Sequence, residues 1–456
     1  MWYNYFEGDK MIYVRDIIDI CGGELYCGDI DLECVDFCKD TREINGGDIY
    51  VGIKGESFNG NLFYKDAFDK GASICILDND TIIDKKYKNK TIVLVDDTIK
   101  CLQKLARHKR SLYDIPVVAI TGSVGKTSVK DIIYAVASSK YKVLCTKGNM
   151  NNHIGVPLTI LGLKDHEVLI LEMGMNHAGE LHTLSNIANP TVSVITNIGT
   201  AHIGNLGSRE NILKAKLEIL DGVNNDMLVI NNDNDMLMTV KYDNLVTIGI
   251  DNNSDYMAKD IIDNVFSSSF YINDEYIKLP VGSRAFVYNA LFAYAVGIKL
   301  GISSDEIKDA LGKFKLTPHR LELIDTDSIK IIDDTYNASL DSVKNALELL
   351  SKVENRKVFI FGDILELDEY GEDIHKEIGD LVIENNIDVL IAVGDLSKYT
   401  YDRVNENDRK CYYFKNNSLL LEDIDRIIDK DDMILIKGSN GMKLVDIVKY
   451  LKKKYK

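Results

Sequence analysis

No apolar run in these 456 residues reaches the roughly 18 needed to cross a bilayer, so the sequence offers no candidate for a membrane-spanning helix. Cationic side chains are short in supply: 54 Lys and Arg face 71 Asp and Glu, a formal net charge of −17, and only the tail Lys452–Lys456 is locally basic. Such a body repels phosphodiester backbones, which argues against nucleic acid as a partner. An anionic substrate has to be drawn in locally, by loop amides and a few cations. The eight cysteines are scattered and form no CxxC, and Cys34 and Cys38, the one close pair, read as reduced thiols at helical spacing. Residues 1–10 lack the basic and apolar regions of a secretion signal. A cytoplasmic monomer without membrane insertion is expected.

Low-complexity segments and solenoid repeats are missing as well, and the length calls for about three domains. Residues 1–112 mix short β-runs ("DIYVGI", "ASICILD", "TIVLV") with turn signals. Across 113–312, apolar runs ("PVVAI", "KVLC", "EVLILE", "TVSVIT", "MLVI") alternate with helical patterns, the signature of a parallel sheet wrapped by helices. A second alternating series fills 313–456. Its strands end at Asp333–Asp334, Asp363, Asp395 and Gly438–Ser439, at the carboxyl edges where such sheets bind ligands. The expected fold is α/β in three domains: a mixed N-terminal domain, a central P-loop-type parallel-sheet domain and a C-terminal Rossmann-like domain.

"IPVVAITGSVGKTSVKDI" (115–132) carries the chemistry. A β-run feeds Gly122-Ser123-Val124-Gly125-Lys126-Thr127 and then a helix, although only two residues separate the glycines where the usual phosphate loop has four. Glycines let backbone N–H groups converge on a phosphate, and the helix start aims its positive end there. Lys126 suits the outer phosphates and Thr127 suits Mg²⁺. Nucleotide binding follows, but kinases, motors, transporter subunits and ligases all use such loops. Farther along, Glu172 ends a β-run and fits beside an anion if Mg²⁺ lies between. His202 follows the run "TVSVIT". Lys216, in the helical "ILKAKLEIL", reads by itself as a solvated helix-face residue.

Together "TGSVGKT", "LEMGMNHAGEL", "TNIGTAHIGNLGS", "AKLEIL", "NAL", "PHRLE", "DDTYNAS" and "KGS" resemble the Mur ligase family, in this order and over nearly the whole chain. That resemblance implies ATP-dependent amide formation in peptidoglycan precursor assembly through an acyl phosphate, with two Mg²⁺ ions. "KGNMNNHIGVPLTIL" and "EMGMNHAGE" are similar to the branch that adds D-alanyl-D-alanine to UDP-N-acetylmuramoyl-tripeptide. The resemblance implies that Thr127 and Glu172 hold metal, with His202 and a carbamylated Lys216 at a second ion. It also implies that Asn289, Arg320 and Asp334 reach ATP, and that the N-terminal domain holds the UDP moiety through Thr41 and Arg42. Asn149, Asn151, Asn152, Asn176 and His177 are expected around the substrate. Two departures stand out: Ala285–Phe286 where the family commonly has His-Asn, and Asn59-Gly60-Asn61 where Asp-Gly-His is frequent. The competing readings are a sibling ligase that adds an amino acid or extends folate polyglutamate, and a regulatory or transport component that binds nucleotide without ligating.

Overall fold

A computed structural model describes residues 10–456 except 56, 223–226, 366, 368 and 369; the stretch read for a secretion signal lies outside the described residues but for Lys10. Three sheets carry the fold. The first orders its strands Glu24–Cys27, Thr91–Val95, Ile74–Asp78, Ile49–Val51 and Phe37–Cys38, parallel except for the first. Cys34 and Cys38 both lie on short strands, so their spacing is not helical, and both are free thiols. The β-rich run "ECVDFC" is strand on either side of Val35–Asp36, and a four-residue spacing alone did not reveal that.

The central sheet has nine strands, in the order Glu275–Leu279, Ser267–Ile272, Tyr256–Asn264, Leu245–Gly249, Met227–Asn231, Val192–Ile195, Val117–Thr121, Val168–Glu172 and Val143–Cys145. Seven of them run parallel, and the four central ones, Val117–Thr121, Val168–Glu172, Val192–Ile195 and Met227–Asn231, are largely apolar runs buried on both faces. The last two in chain order are antiparallel, which extends the expected all-parallel sheet into a mixed one. From the strand Val117–Thr121 the chain winds outward to Val143–Cys145, returns through Val168–Glu172, and crosses to Val192–Ile195 on the other side. The strand order therefore reverses at Val117–Thr121, and the crevice at its carboxyl end is where a doubly wound sheet accepts a ligand. The phosphate loop stands at that end.

The third sheet orders Glu322–Asp325, Lys330–Asp334, Met433–Lys437, Lys357–Gly362, Val389–Val393 and Cys411–Phe414, with only the first strand antiparallel. Each of its faces has its own apolar core. The first two units are built differently, because one core runs through both. Leu102, Leu105 and Ala106 of the helix Thr98–Ser111 join Val156, Ile160, Leu181 and Leu184 of two central helices. Asp97 caps that helix by accepting from Ile99 N and Lys100 N.

Candidate active site

The loop Gly122–Thr127 folds the way its sequence requires. Gly122 has φ of 151°, and a Cβ there would stand 1.9 Å from Thr196 Oγ1, so no side chain is accommodated. Gly125, at φ 82°, turns the chain into the helix Lys126–Ala137, which has no side-chain cap. The first-turn N–H groups of that helix are thus left for an anion. The loop is anchored from the neighbouring strand end: Ser123 N donates to Asn197 O (3.0 Å), Val124 N to Asn197 Oδ1 (2.9 Å), and Gly199 N to Ser123 Oγ (2.9 Å). Lys126 Nζ folds back on its own loop, donating to Gly122 O at 2.7 Å and Ser123 O at 3.3 Å. Enclosure lowers the Lys126 pKa, Glu172 pulls it back up, and Arg320 lowers it further. These three residues therefore share one electrostatic neighbourhood.

Glu172 is buried at the end of its strand. Its Oε1 accepts from Asn151 Nδ2 at 2.9 Å, while Oε2 is buried with no hydrogen-bond partner. Thr146 Oγ1 accepts from Glu172 N (3.0 Å), which ties the carboxylate's backbone to the adjacent strand end. A buried carboxylate oxygen without a partner is costly, and a cation is the group that would relieve it. The donor set there, all oxygen with Thr127 also lining the cleft, suits Mg²⁺.

His202 lines the same cleft in a left-handed conformation (φ 65°) that starts the short helix Ile203–Leu206. Burial, then the positive charges of Lys126 and Lys216, push its pKa down to about 4, so its imidazole is neutral near pH 7. Lys216 lies in the helix Arg209–Leu217 and is only 1% exposed, which overturns its reading as a solvated helix-face residue. The signal was present in its neighbours: Ile212, Ala215 and Ile219 make that helix face apolar. Desolvation, then Lys126, drives the Lys216 pKa well down, and among the described residues no side chain or carbonyl is hydrogen-bonded to its Nζ.

The third unit supplies the opposite wall of a cleft of about 1690 Å³. The Arg320 guanidinium stacks 3.9 Å over the Tyr336 ring and leaves its Nε buried without a partner. Asp334 lines the cleft too, but it is engaged: Lys437 Nζ donates to its Oδ2 at 2.5 Å and Leu321 N to its Oδ1 at 3.2 Å. Lys437 was not read from the sequence; a lysine ending the buried run "MILIK" was its signal. Of the other strand ends, Ser439 faces the cleft, whereas Asp363 accepts from Asp395 N and Ser397 N and serves its own loops. Asp341 reaches across so closely that a Cβ on Gly199 would lie 2.4 Å from its Oδ2.

Asn149, Asn151, Asn152, Asn176 and Asn289 all line the cleft, as do Ala285 and Phe286 at the departure from the family pattern. Two of these asparagines have structural partners: Asn151 holds Glu172, and Asn152 Oδ1 accepts from Ile154 N and Gly155 N. His177 is exposed and outside the lining. Thr41 and Arg42 are likewise outside it, on a turn of the first unit where the Arg42 guanidinium pairs with Asp40 and lowers that carboxylate to about 2.

The chain matches the model of the Mur ligase middle domain over residues 120–297 and that of the Mur ligase glutamate ligase domain over 319–440. It is 38% identical to the UDP-N-acetylmuramoyl-tripeptide–D-alanyl-D-alanine ligase of Bacillus subtilis, over 90% of this chain and 92% of the relative. Among solved structures it is similar to MurF from Acinetobacter baumannii, with a TM-score of 0.89, 27% identity, and coverage of 97% of this chain and 99% of that one. It is also similar to MurF ligase from Thermotoga maritima in complex with ADP, with a TM-score of 0.81, 28% identity, and coverage of 92% and 98%. A chain that aligns with such a ligase over nine-tenths of its length, and folds in the same three units, belongs to the Mur ligase family.

Proposed function

We propose that this ATP-dependent ligase joins D-alanyl-D-alanine to UDP-N-acetylmuramoyl-tripeptide, as the names of its relatives indicate. It would act as a cytoplasmic monomer in peptidoglycan precursor synthesis. The observation that carries the reading is the meeting of Lys126, Glu172 and Arg320, from two separately cored units, in one cleft. In the reaction, an oxygen of the tripeptide's terminal carboxylate attacks the γ-phosphorus of ATP, and ADP leaves. The dipeptide amine then attacks the acyl phosphate carbon, loses a proton, and expels phosphate. The ammonium of Lys126, freed from its own loop carbonyls, offsets charge on the transferring phosphoryl group. The first-turn amides of its helix hold the phosphates, and Arg320 reaches them from the opposite wall.

Glu172 Oε2 and Thr127 would hold one Mg²⁺; neutral His202 and Lys216 would serve a second. Bound Mg²⁺ screens the negative charges that carboxylate and phosphates bring together. As an ammonium, Lys216 would repel that ion. Its enclosure favours the neutral amine, which can add CO₂ and become a carbamate with two oxygens. Asn149 and Asn176, which line the cleft, would serve the substrate, and Asn289 the adenine. Thr41, Arg42 and His177 would belong to more distant parts of the substrate. Domain boundaries near 112 and 312 fit this division of labour.

The deciding assay is ATP-dependent phosphate release with UDP-N-acetylmuramoyl-tripeptide, comparing D-alanyl-D-alanine, free amino acids and no acceptor. Release only with the dipeptide is expected. Release with a free amino acid assigns the chain to a sibling activity, and release without any acceptor rejects the ligation step.

A further inference from the structure

Thr317 Oγ1 donates to Asp131 Oδ2 across 186 positions of sequence. Among the described residues this is the one side-chain hydrogen bond between the phosphate-loop helix Lys126–Ala137 and the segment that leads into the third unit. We infer that Asp131 and Thr317 are a positioning pair that sets where Arg320 stands relative to Lys126, an inference that rests on the cleft being the phosphoryl-transfer site.

Asp131 is a fixed anchor. Its Oδ1 is paired with Lys130 Nζ at 2.7 Å, and Lys130, itself buried, donates from the same nitrogen to Thr146 O at 3.1 Å. Lys126 and Asp131 lie on one helix, about 7.5 Å apart along its axis, and do not move independently. On the other side, Thr317 precedes Pro318, which fixes its own φ and confines Thr317 to extended backbone. His319 and Leu321 then take left-handed conformations, at φ 67° and 52°. Few soft torsions remain between the anchored hydroxyl and the Arg320 backbone.

Beyond Thr317 the hydrogen bonds and the ring contact lead into the third unit, while Leu321 packs on both the central core and the third unit's core. Tyr336 N donates to His319 O (3.1 Å), His319 Nδ1 pairs with Asp333 Oδ2 (2.7 Å), Leu321 N donates to Asp334 Oδ1, and Arg320 stacks on Tyr336. Without the Asp131 bond, the hydrogen bonds around Arg320 register it to the third unit alone, and only the non-directional packing of Leu316 and Leu321 ties the segment to the central core. With it, the guanidinium is registered to the helix whose first turn holds the phosphates. Misplacement of a charge by about 1 Å can cost up to a hundredfold in rate, so a bond of this kind has kinetic weight.

The test is Thr317→Val, which keeps the shape and removes the donor, with Thr317→Ala as a second variant if valine is not accommodated. The expected result is a kcat lower by roughly tenfold, KM for ATP within about twofold, and recovery in Thr317→Ser. In an Arg320→Ala background Thr317→Val should add nothing, because the residue it positions is gone. An unchanged kcat overturns the inference. So does an equal loss with and without Arg320, which marks the pair as structural only. Absence of ligation in the wild type would instead reject the functional reading, so the two failures are distinguishable.

Discussion

The two joints of this molecule are made of different materials. Between the first and central units, the helix Thr98–Ser111 packs apolar side chains directly against two central helices. Arg110, almost fully enclosed, donates to the carbonyls of Ala188, Tyr113, Ile115 and Asn189. Tyr113 Oη adds a bond to Leu163 O at 2.9 Å. Between the central and third units, the contacts are mainly polar and local: Thr317 to Asp131, Lys352 to Asp263, and Lys330 5.8 Å over the Phe266 ring. Two apolar contacts accompany them: Val265, at the tip of a central hairpin, packs on the third unit's core, and Leu321 packs on the cores of both units. A continuous apolar core resists relative motion, whereas a polar interface permits it. The first two units are thus joined as one body by a shared core, whereas the third is held to them mainly by polar contacts.

Substitutions at the loop and at each joint put that contrast to the test. In the proposed reaction Lys126 meets the transferring phosphoryl group, so Lys126→Ala should lower kcat at least about a hundredfold, the scale of losing one transition-state donor; phosphate release at saturating substrates checks it, and turnover within a fewfold of wild type removes the loop from the reaction. Lys216→Ala should lose most activity and regain part of it with a small added carboxylate, whereas full activity at saturating ATP and Mg²⁺ would falsify the carbamate. At the first joint, Arg110→Ala leaves buried carbonyls without donors and should cost about 2–3 kcal/mol in urea unfolding. At the second, Lys352→Met removes a partly exposed pair with Asp263 and should cost under about 1 kcal/mol. Equal losses from these two variants would erase the distinction between the joints.

A pH series adds a smaller effect. Folding holds His202 near 4 while the unfolded chain takes up its proton near 6.5, so the unfolded state binds more protons between those values. The stability contributed above pH 6.5 is therefore lost as the pH falls toward 4. In EDTA, thermal midpoints of His202→Asn should decline less than wild type across that window.

Much of this architecture was legible because parallel strands buried on both faces are unbroken apolar runs, and each one read from the central and third series is present. The phosphate loop and Glu172 were legible because each sits at a strand end that local pattern marks, whereas Arg320 was reached only through the family resemblance of "PHRLE". The hairpin strands Ser267–Ile272 and Glu275–Leu279 were not, since one face is wet and their alternating polar residues blur the signal. Asp131 and Thr317 could not be paired from sequence, as nothing local in "VKDII" or "KLTPH" points to a partner so far away. Lys216 shows the reverse case: charged neighbours suggested water, while an apolar helix face put it inside.

The core shared by the first two units also matters before the molecule is finished. On the ribosome, the first sheet and the helix Thr98–Ser111 emerge with an apolar face whose cover is supplied by Gly155–Leu161 and Glu180–Ala188. Until those helices are made, the nascent chain carries an uncovered hydrophobic surface, the condition in which chains aggregate or recruit chaperones. A fragment ended near residue 112 inherits that exposure permanently. A cut near residue 312 falls beyond the shared core and spares it, and releases a C-terminal piece that keeps its own two cores but for the cover of Val265, while Phe314 is taken from the second central core.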